Sequence, residues 1–262
     1  MVAAGVHHIQ SSSHAITDSG YIDQCRRTLD AEGALVLRGF FTPDAVQQVL
    51  DASDRRQSEA FFTTTGTHNV YLTPPDPNLP PDHVVNRQIT STKGCLADDE
   101  IPADSPLREV YDSPSFRSFL CGVLGIDEIH PYADSLSSIN VHFHRDGQEL
   151  GWHFDNSEFA VTLLIRAPEA GGVFEYVPAL RDANAGDLNF PGVADVLDGR
   201  TTPLTLDFEP GDLVLFRGRN SMHRVTPSRG PTARILVVFA FNTEPDIGLS
   251  DSAKKTFYGR LG

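Results

Sequence analysis

From Asp18 the apolar positions Ile22, Cys25 and Leu29 recur at intervals of three and four until Gly33, a pattern that predicts an amphipathic helix stopped by glycine. Ala34 to Leu37 then reads as a short strand. Thr42-Pro43 supplies an N-cap and a first-turn proline for a second helix, which buries Val46, Val49 and Leu50 and ends near Arg56. A third helix begins at Ser113-Pro114, carries Phe116, Phe119, Leu120 and Val123 on one face, and ends at Gly125. These helices are expected to buttress a sheet and to carry no chemistry.

Beyond residue 130 the period shortens to two. Eight candidate strands follow one another with turn signals every eight to twelve residues: 136–145, 149–154, 159–166, 172–176, 202–208, 212–216, 222–226 and 234–242. Many short, evenly spaced strands predict a mainly β sandwich or barrel with flanking helices. Alternation puts Asn140, His142 and His144 on one face of the first of them, opposite Ile139, Val141 and Phe143. Two segments break the rhythm. Residues 63–106 hold seven prolines, with strand character at Val84 to Ile89, and residues 180–200 are rich in turn formers. A long irregular insert in a compact domain is usually functional or disordered, which leaves 63–106 open between a lid or substrate-recognition loop and a structural wrap, and makes 180–200 a candidate rim. Residues 1–16 show no periodicity and are expected to be flexible, leaving 17–262 as one domain.

Composition narrows the function. A formal charge of −14 over 262 residues, with no basic stripe, argues against nucleic acid as a partner, since phosphate contacts need clustered Lys and Arg. Three widely spaced cysteines, Cys25, Cys95 and Cys121, suit reduced thiols, and no apolar run is long enough to span a bilayer, so a cytoplasmic protein is expected, with a homodimer left open.

The chemistry concentrates at Gly151-Trp152-His153-Phe154-Asp155-Asn156 and at Asn220-Ser221-Met222-His223-Arg224-Val225-Thr226-Pro227. On an extended segment His153 and Asp155 point to the same side, and His223 can add a third ligand from a distant strand. Two histidines and one carboxylate on one face suit non-haem Fe(II). With 10 His and 35 acidic residues, about one His-x-Asp/Glu is expected by chance. Arg234 raises the motif above that background: it opens the apolar run Ile235 to Phe241 eleven residues after His223, where a fixed cation can anchor the far end of a dicarboxylate that chelates the metal.

The order His153-x-Asp155, His223, Arg234 resembles the Fe(II)/2-oxoglutarate-dependent dioxygenase superfamily over about residues 130 to 242. The texts Gly171 to Pro178 and Leu215 to Pro227 are similar to a bacterial subgroup of hydroxylases and radical halogenases of free amino acids, and Leu35 to Phe41 to the opening strand of many 2-oxoglutarate oxygenases. The resemblance implies a double-stranded β-helix, or jelly roll, and a small-molecule substrate such as an amino acid, hydroxylated with Fe(II), 2-oxoglutarate and O₂. The halogenases of this group carry Gly where this chain keeps Asp155, so the resemblance implies oxygenation. Further assignments are Thr162 beside the oxoacid, and Arg87, Asn140, His144 and Arg219 toward substrate. A peptidyl hydroxylase and a redox-neutral cupin-like metal protein are the alternatives.

Overall fold

The computed structural model describes residues 6–63 and 66–262. Asp18 caps α1 (Ser19–Glu32) by accepting from the Tyr21 amide at 2.8 Å, and Gly33, at φ 71°, ends it. After β1 (Ala34–Leu37) comes α2 (Pro43–Arg56) behind its Thr42 cap. The proline-rich stretch contributes four short strands, β2 (Phe61–Phe62), β3 (Thr67–His68), β4 (Ile89–Thr90) and β5 (Gly94–Leu96). Two Ser-Pro starts then open α3 (Pro106–Asp112) and α4 (Pro114–Leu124).

The rest of the chain is β6 (Ile139–His144), β7 (Leu150–His153), β8 (Ala160–Arg166), β9 (Ala170–Gly171), β10 (Phe174–Val177), α5 (Phe190–Leu197), β11 (Leu204–Leu206), β12 (Leu213–Phe216), β13 (Met222–Val225), β14 (Ser228–Arg229), β15 (Arg234–Phe239) and α6 (Asp251–Tyr258). Each of the eight expected strands appears. They divide between a seven-stranded antiparallel sheet, β1-β12-β8-β15-β6-β5-β2, and a four-stranded one, β11-β10-β13-β7, which together make the jelly roll.

Side-chain alternation decides what lies on each face. Ile139, Val141, Phe143, Val161, Leu163, Ile235 and Val237 point away from the barrel and join Leu29, Phe116, Phe119 and Leu120 of the helices in the main core. The intervening positions, among them Asn140, His142, His144, Thr162 and Arg234, face inward. The helices therefore take the apolar face of the large sheet and leave its other face to enclose polar groups.

The structure decides one open reading and changes two expectations. For residues 63–106 the sequence allows a lid or a structural wrap. Residues 64 and 65 lie outside the described residues, but Val70, Tyr71 and Val84 pack with Trp152, Phe154 and Met222 on the outer face of the small sheet, together with Val193 and Val196 of α5. These side chains are too apolar to lie loose over an aqueous mouth, so this part of the insert forms a second core with residues 180–200. The strand expected at 84–89 is turn until β4, and β5 belongs to the large sheet. Residues 1–5 of the stretch expected to be flexible lie outside the described residues. Beyond them, Ile9 is buried and bridged to Phe41, and His14 contacts Tyr21 Oη at 2.6 Å and the Arg38 carbonyl at 2.8 Å.

Phe116 is fully buried and meets Phe239 edge-on at 5.9 Å, joining α4 to β15. Phe116→Ala should cost about 3–5 kcal/mol in urea unfolding, through lost burial and the remaining cavity; a loss below about 1 kcal/mol would mean that the helices do not carry the large sheet.

Candidate metal and co-substrate site

β7 and β13 pair so that His153 stands directly opposite His223, with ring centroids 4.1 Å apart. Each imidazole is oriented by its own strand: His153 Nδ1 lies 2.8 Å from the Gly151 carbonyl, and His223 Nδ1 3.0 Å from that of Ser221. A carbonyl can only accept, so both Nδ1 atoms carry the proton and both Nε2 lone pairs are free for a metal. Phe174 stacks on His223 at 5.5 Å and Phe216 meets its edge at 4.8 Å, fixing the ring plane.

Asp155 completes the set from the turn after β7. Its Oδ1 lies 3.6 Å from His153 Nε2 and 3.5 Å from His223 Nε2, longer than a normal hydrogen bond but suited to three ligands around one centre. Its Oδ2 is buried with no partner. The turn is held by the Asp155 amide donating to the Gly218 carbonyl at 3.1 Å, and a Cβ on residue 218 would lie 1.8 Å from Asp155 Oδ2, so any other residue there would push the carboxylate aside. Burial alone would raise the pKa of Asp155, but His223 and then His153 outweigh it and hold the carboxylate below its usual range. Burial, then the neighbouring His223, lowers the pKa of His153. Free Nε2 atoms, an ionised carboxylate and an orphaned carboxylate oxygen fit a divalent cation.

Across the barrel Arg234 begins β15, 2% exposed, with Nη1 unpartnered and no carboxylate in ion-pair contact among the described residues. Burial brings its pKa down to about 10, so it remains a cation at neutral pH. Space for it comes from Gly172, at φ 63°, where a Cβ would stand 3.1 Å from Arg234 Cδ. His144 is its register partner on β6, 1% exposed with both ring nitrogens unpartnered and a pKa driven well down by burial and then by Arg234.

The fold is that of the Fe(II)/2-oxoglutarate oxygenases. The epimerase SnoN from nogalamycin biosynthesis, a non-heme alpha ketoglutarate dependent enzyme, superposes with a TM-score of 0.57 at 12% identity, covering 84% of this chain and 80% of that one. A 2OG-Fe(II) oxygenase family oxidoreductase from Burkholderia pseudomallei gives 0.53 at 13%, covering 87% and 93%. A prolyl hydroxylase from Trichoplax adhaerens, in complex with a hypoxia inducible factor peptide, gives 0.55 at 14%, covering 84% and 88%. The sequence model of the family described as "HalD: Halogenase D" matches residues 87–257. The chain belongs to the Halogenase D family. No curated protein matches the sequence. Asp155 gives this chain a carboxylate beside the two histidines.

Several residues assigned from sequence stand elsewhere. Arg87 is on the outer insert, paired with Asp198 at 2.7 Å, because the insert packs outside the small sheet. Thr162 stands opposite Val214 and Val238, four residues along β15 from Arg234, or about 13 Å of strand. Asn140 is occupied: its amide donates to the Ser137 carbonyl at 3.0 Å and its oxygen accepts from Tyr258 Oη at 2.7 Å. Arg219 ties down the turn after the metal ligands, donating to the Asn156 carbonyl at 2.9 Å beside Glu158 at 3.5 Å. Of the residues assigned toward substrate, only His144 reaches Arg234. Sequence reasoning passed over Gly218, whose role depends on a contact between turns 63 residues apart, and Lys93, whose alternation with Cys95 is hidden inside the proline-rich insert.

Gly218→Ala should displace Asp155 and lower iron content after anaerobic loading by about tenfold or more, with the unfolding midpoint little changed. Iron content equal to wild type in a folded Gly218→Ala protein would show that the space at residue 218 does not govern the metal site.

Proposed function

We propose that this protein is an Fe(II)- and 2-oxoglutarate-dependent oxygenase that hydroxylates an unactivated C–H bond of a small molecule, a free amino acid or close derivative. The observation that carries the reading is a permanent cation, Arg234, buried without a partner anion among the described residues, in the same barrel that holds two free imidazole Nε2 atoms and an orphaned carboxylate oxygen. An unpaired buried charge costs several kcal/mol, so such a site is built for an incoming anion, and one end of a dicarboxylate supplies it.

His153, Asp155 and His223 would hold Fe(II), leaving positions for the 2-oxo acid and O₂. With 2-oxoglutarate and O₂, the bound metal supplies the oxidising power to replace C–H by C–OH, one oxygen atom going to substrate and the other to succinate as CO₂ leaves. The chain provides ligands, orientation and an enclosed site. Arg234 fixes the far carboxylate of the oxoacid through a charge-assisted bond and so sets its register against the metal. Phe174 and Phe216 hold His223 in place and keep its surroundings apolar. Asp155 occupies the ligand position that a halide would need, which favours hydroxylation over halogenation. No helix among the described residues is long and apolar enough to cross a membrane, compatible with a soluble enzyme acting on a soluble metabolite.

Arg234→Ala should raise the 2-oxoglutarate KM by about ten- to a hundredfold, from the roughly 1.5–3 kcal/mol of a charge-assisted bond, and Arg234→Lys should recover only part. Initial-rate measurements of succinate release test this, and an unchanged KM in Arg234→Ala would assign the anchor elsewhere. His223→Ala should lose turnover while keeping the fold, and full activity with normal iron content in that variant would rule out the ligand set.

A further inference from the structure

The barrel wall holds a second basic side chain that the oxoacid and the metal leave unused. Lys93 stands one residue ahead of β5, with its ammonium 3.2 and 3.3 Å from the two ring nitrogens of His142 and 5.4 Å from the ring centre of Phe257 on α6. Cys95, two residues on, pairs with His142 and directs its thiol toward Asn140, which places this side of β5 on the barrel interior. No carboxylate lies within ion-pair distance of Lys93 among the described residues. Lys93 and His142 both keep part of their surface accessible, yet burial lowers the pKa of each, a combination expected of the wall of an internal hollow.

Charge bookkeeping then distinguishes the two cations. Taken as a sum, a dianionic oxoacid and Asp155 bring three negative charges against the three positive charges of Fe(II) and Arg234, and Asp155 acts on Lys93 only from beyond ion-pair distance. The metal-bound imidazoles are neutral, and burial favours the neutral form of His142 and His144. Lys93 is left over. Arg181, stacked on Phe154 at 4.1 Å, adds to the positive excess near Asp155 and does not offset it. Arg234 and Lys93 lie on opposite sides of β6, two strand spacings or about 10 Å apart at the backbone, so one carboxylate group does not suit both.

We propose that Lys93 anchors a carboxylate of the primary substrate, so that the enzyme accepts small carboxylic acids, free amino acids among them, and discriminates against their neutral amides. This rests on the Fe(II)/2-oxoglutarate reading. The discrimination follows from chemistry: an amide in contact with a desolvated ammonium forfeits the charge-assisted bond and leaves the cation unpaired.

The chain has three lysines, and Lys254 and Lys255 on α6 serve as internal controls for a lysine footprint. The anaerobic Fe(II)- and 2-oxoglutarate-loaded protein is treated with acetic anhydride, alone and with millimolar panels of free amino acids and of their carboxamides, and modification is read by peptide mass spectrometry. Lys93 should react at a similar rate with and without 2-oxoglutarate. At least one free amino acid should slow its modification by about tenfold while the matching amide does not, with Lys254 and Lys255 unchanged. Lys93→Met should keep wild-type 2-oxoglutarate affinity by anaerobic absorbance and lose the stimulation of succinate release by the protecting amino acid, with partial recovery in Lys93→Arg. Protection by 2-oxoglutarate alone would assign Lys93 to the co-substrate. Equal protection by acids and amides, or none by any member of the panel, would overturn the proposal, whereas absent 2-oxoglutarate binding in the wild type would instead remove the reading on which it rests.

Discussion

A guanidinium enclosed by protein with no anion of its own constrains everything around it. Arg234 stays charged at neutral pH, and the interior offers it a neutral imidazole, His144, in place of a carboxylate. An uncompensated charge in such a place is tolerated only if the fold has stability to spare or a ligand arrives with the opposite sign. The jelly roll meets the first condition by dividing labour between the faces of one sheet. Its outer face, with Val161, Leu163, Ile235 and Val237, makes the main core with four helices, and its inner face is then free to carry Asn140, His142, His144 and Arg234.

The same division explains how the opposite sheet presents a metal site. Pairing of β7 with β13 sets the two imidazoles face to face, and backbone carbonyls two residues back choose their tautomers. The turn that carries Asp155 depends on the absence of a side chain at Gly218. The small sheet is stiffened from outside by Tyr71, Val84 and Val193, which pack against Trp152 of β7 and are where the two inserts spend their apolar residues.

Much of this was legible in the sequence, because the informative signals were local. The caps Asp18, Thr42 and Ser113, the period-two strands from 139 onward and the spacing of His153, Asp155, His223 and Arg234 all act within a few residues or along one strand. What escaped was set by contacts distant in sequence. Arg87 lies in a segment whose proline content allowed a lid or a structural wrap, and the burial of Val70, Tyr71 and Val84 carries that segment to the outer face, where Asp198 claims the cation. Thr162 faces the interior as alternation requires, yet the register of β8 against β15 sets it four residues away from Arg234. Asn140 also faces inward, and the C-terminal helix, which sequence reading had overlooked, satisfies it through Tyr258.

The most direct test of the account is an anaerobic titration of the Fe(II)-loaded protein with 2-oxoglutarate, followed by visible absorbance, in the wild type and in Asp155→Ala, His223→Ala and Arg234→Ala. Chelation of the metal by the oxoacid should give a saturable charge-transfer band in the wild type. That band should be lost or altered when a ligand is removed, and should need about ten- to a hundredfold more 2-oxoglutarate when Arg234 is removed. A wild-type protein that binds iron but develops no band at any 2-oxoglutarate concentration would contradict the assignment of this barrel as a 2-oxoglutarate oxygenase site.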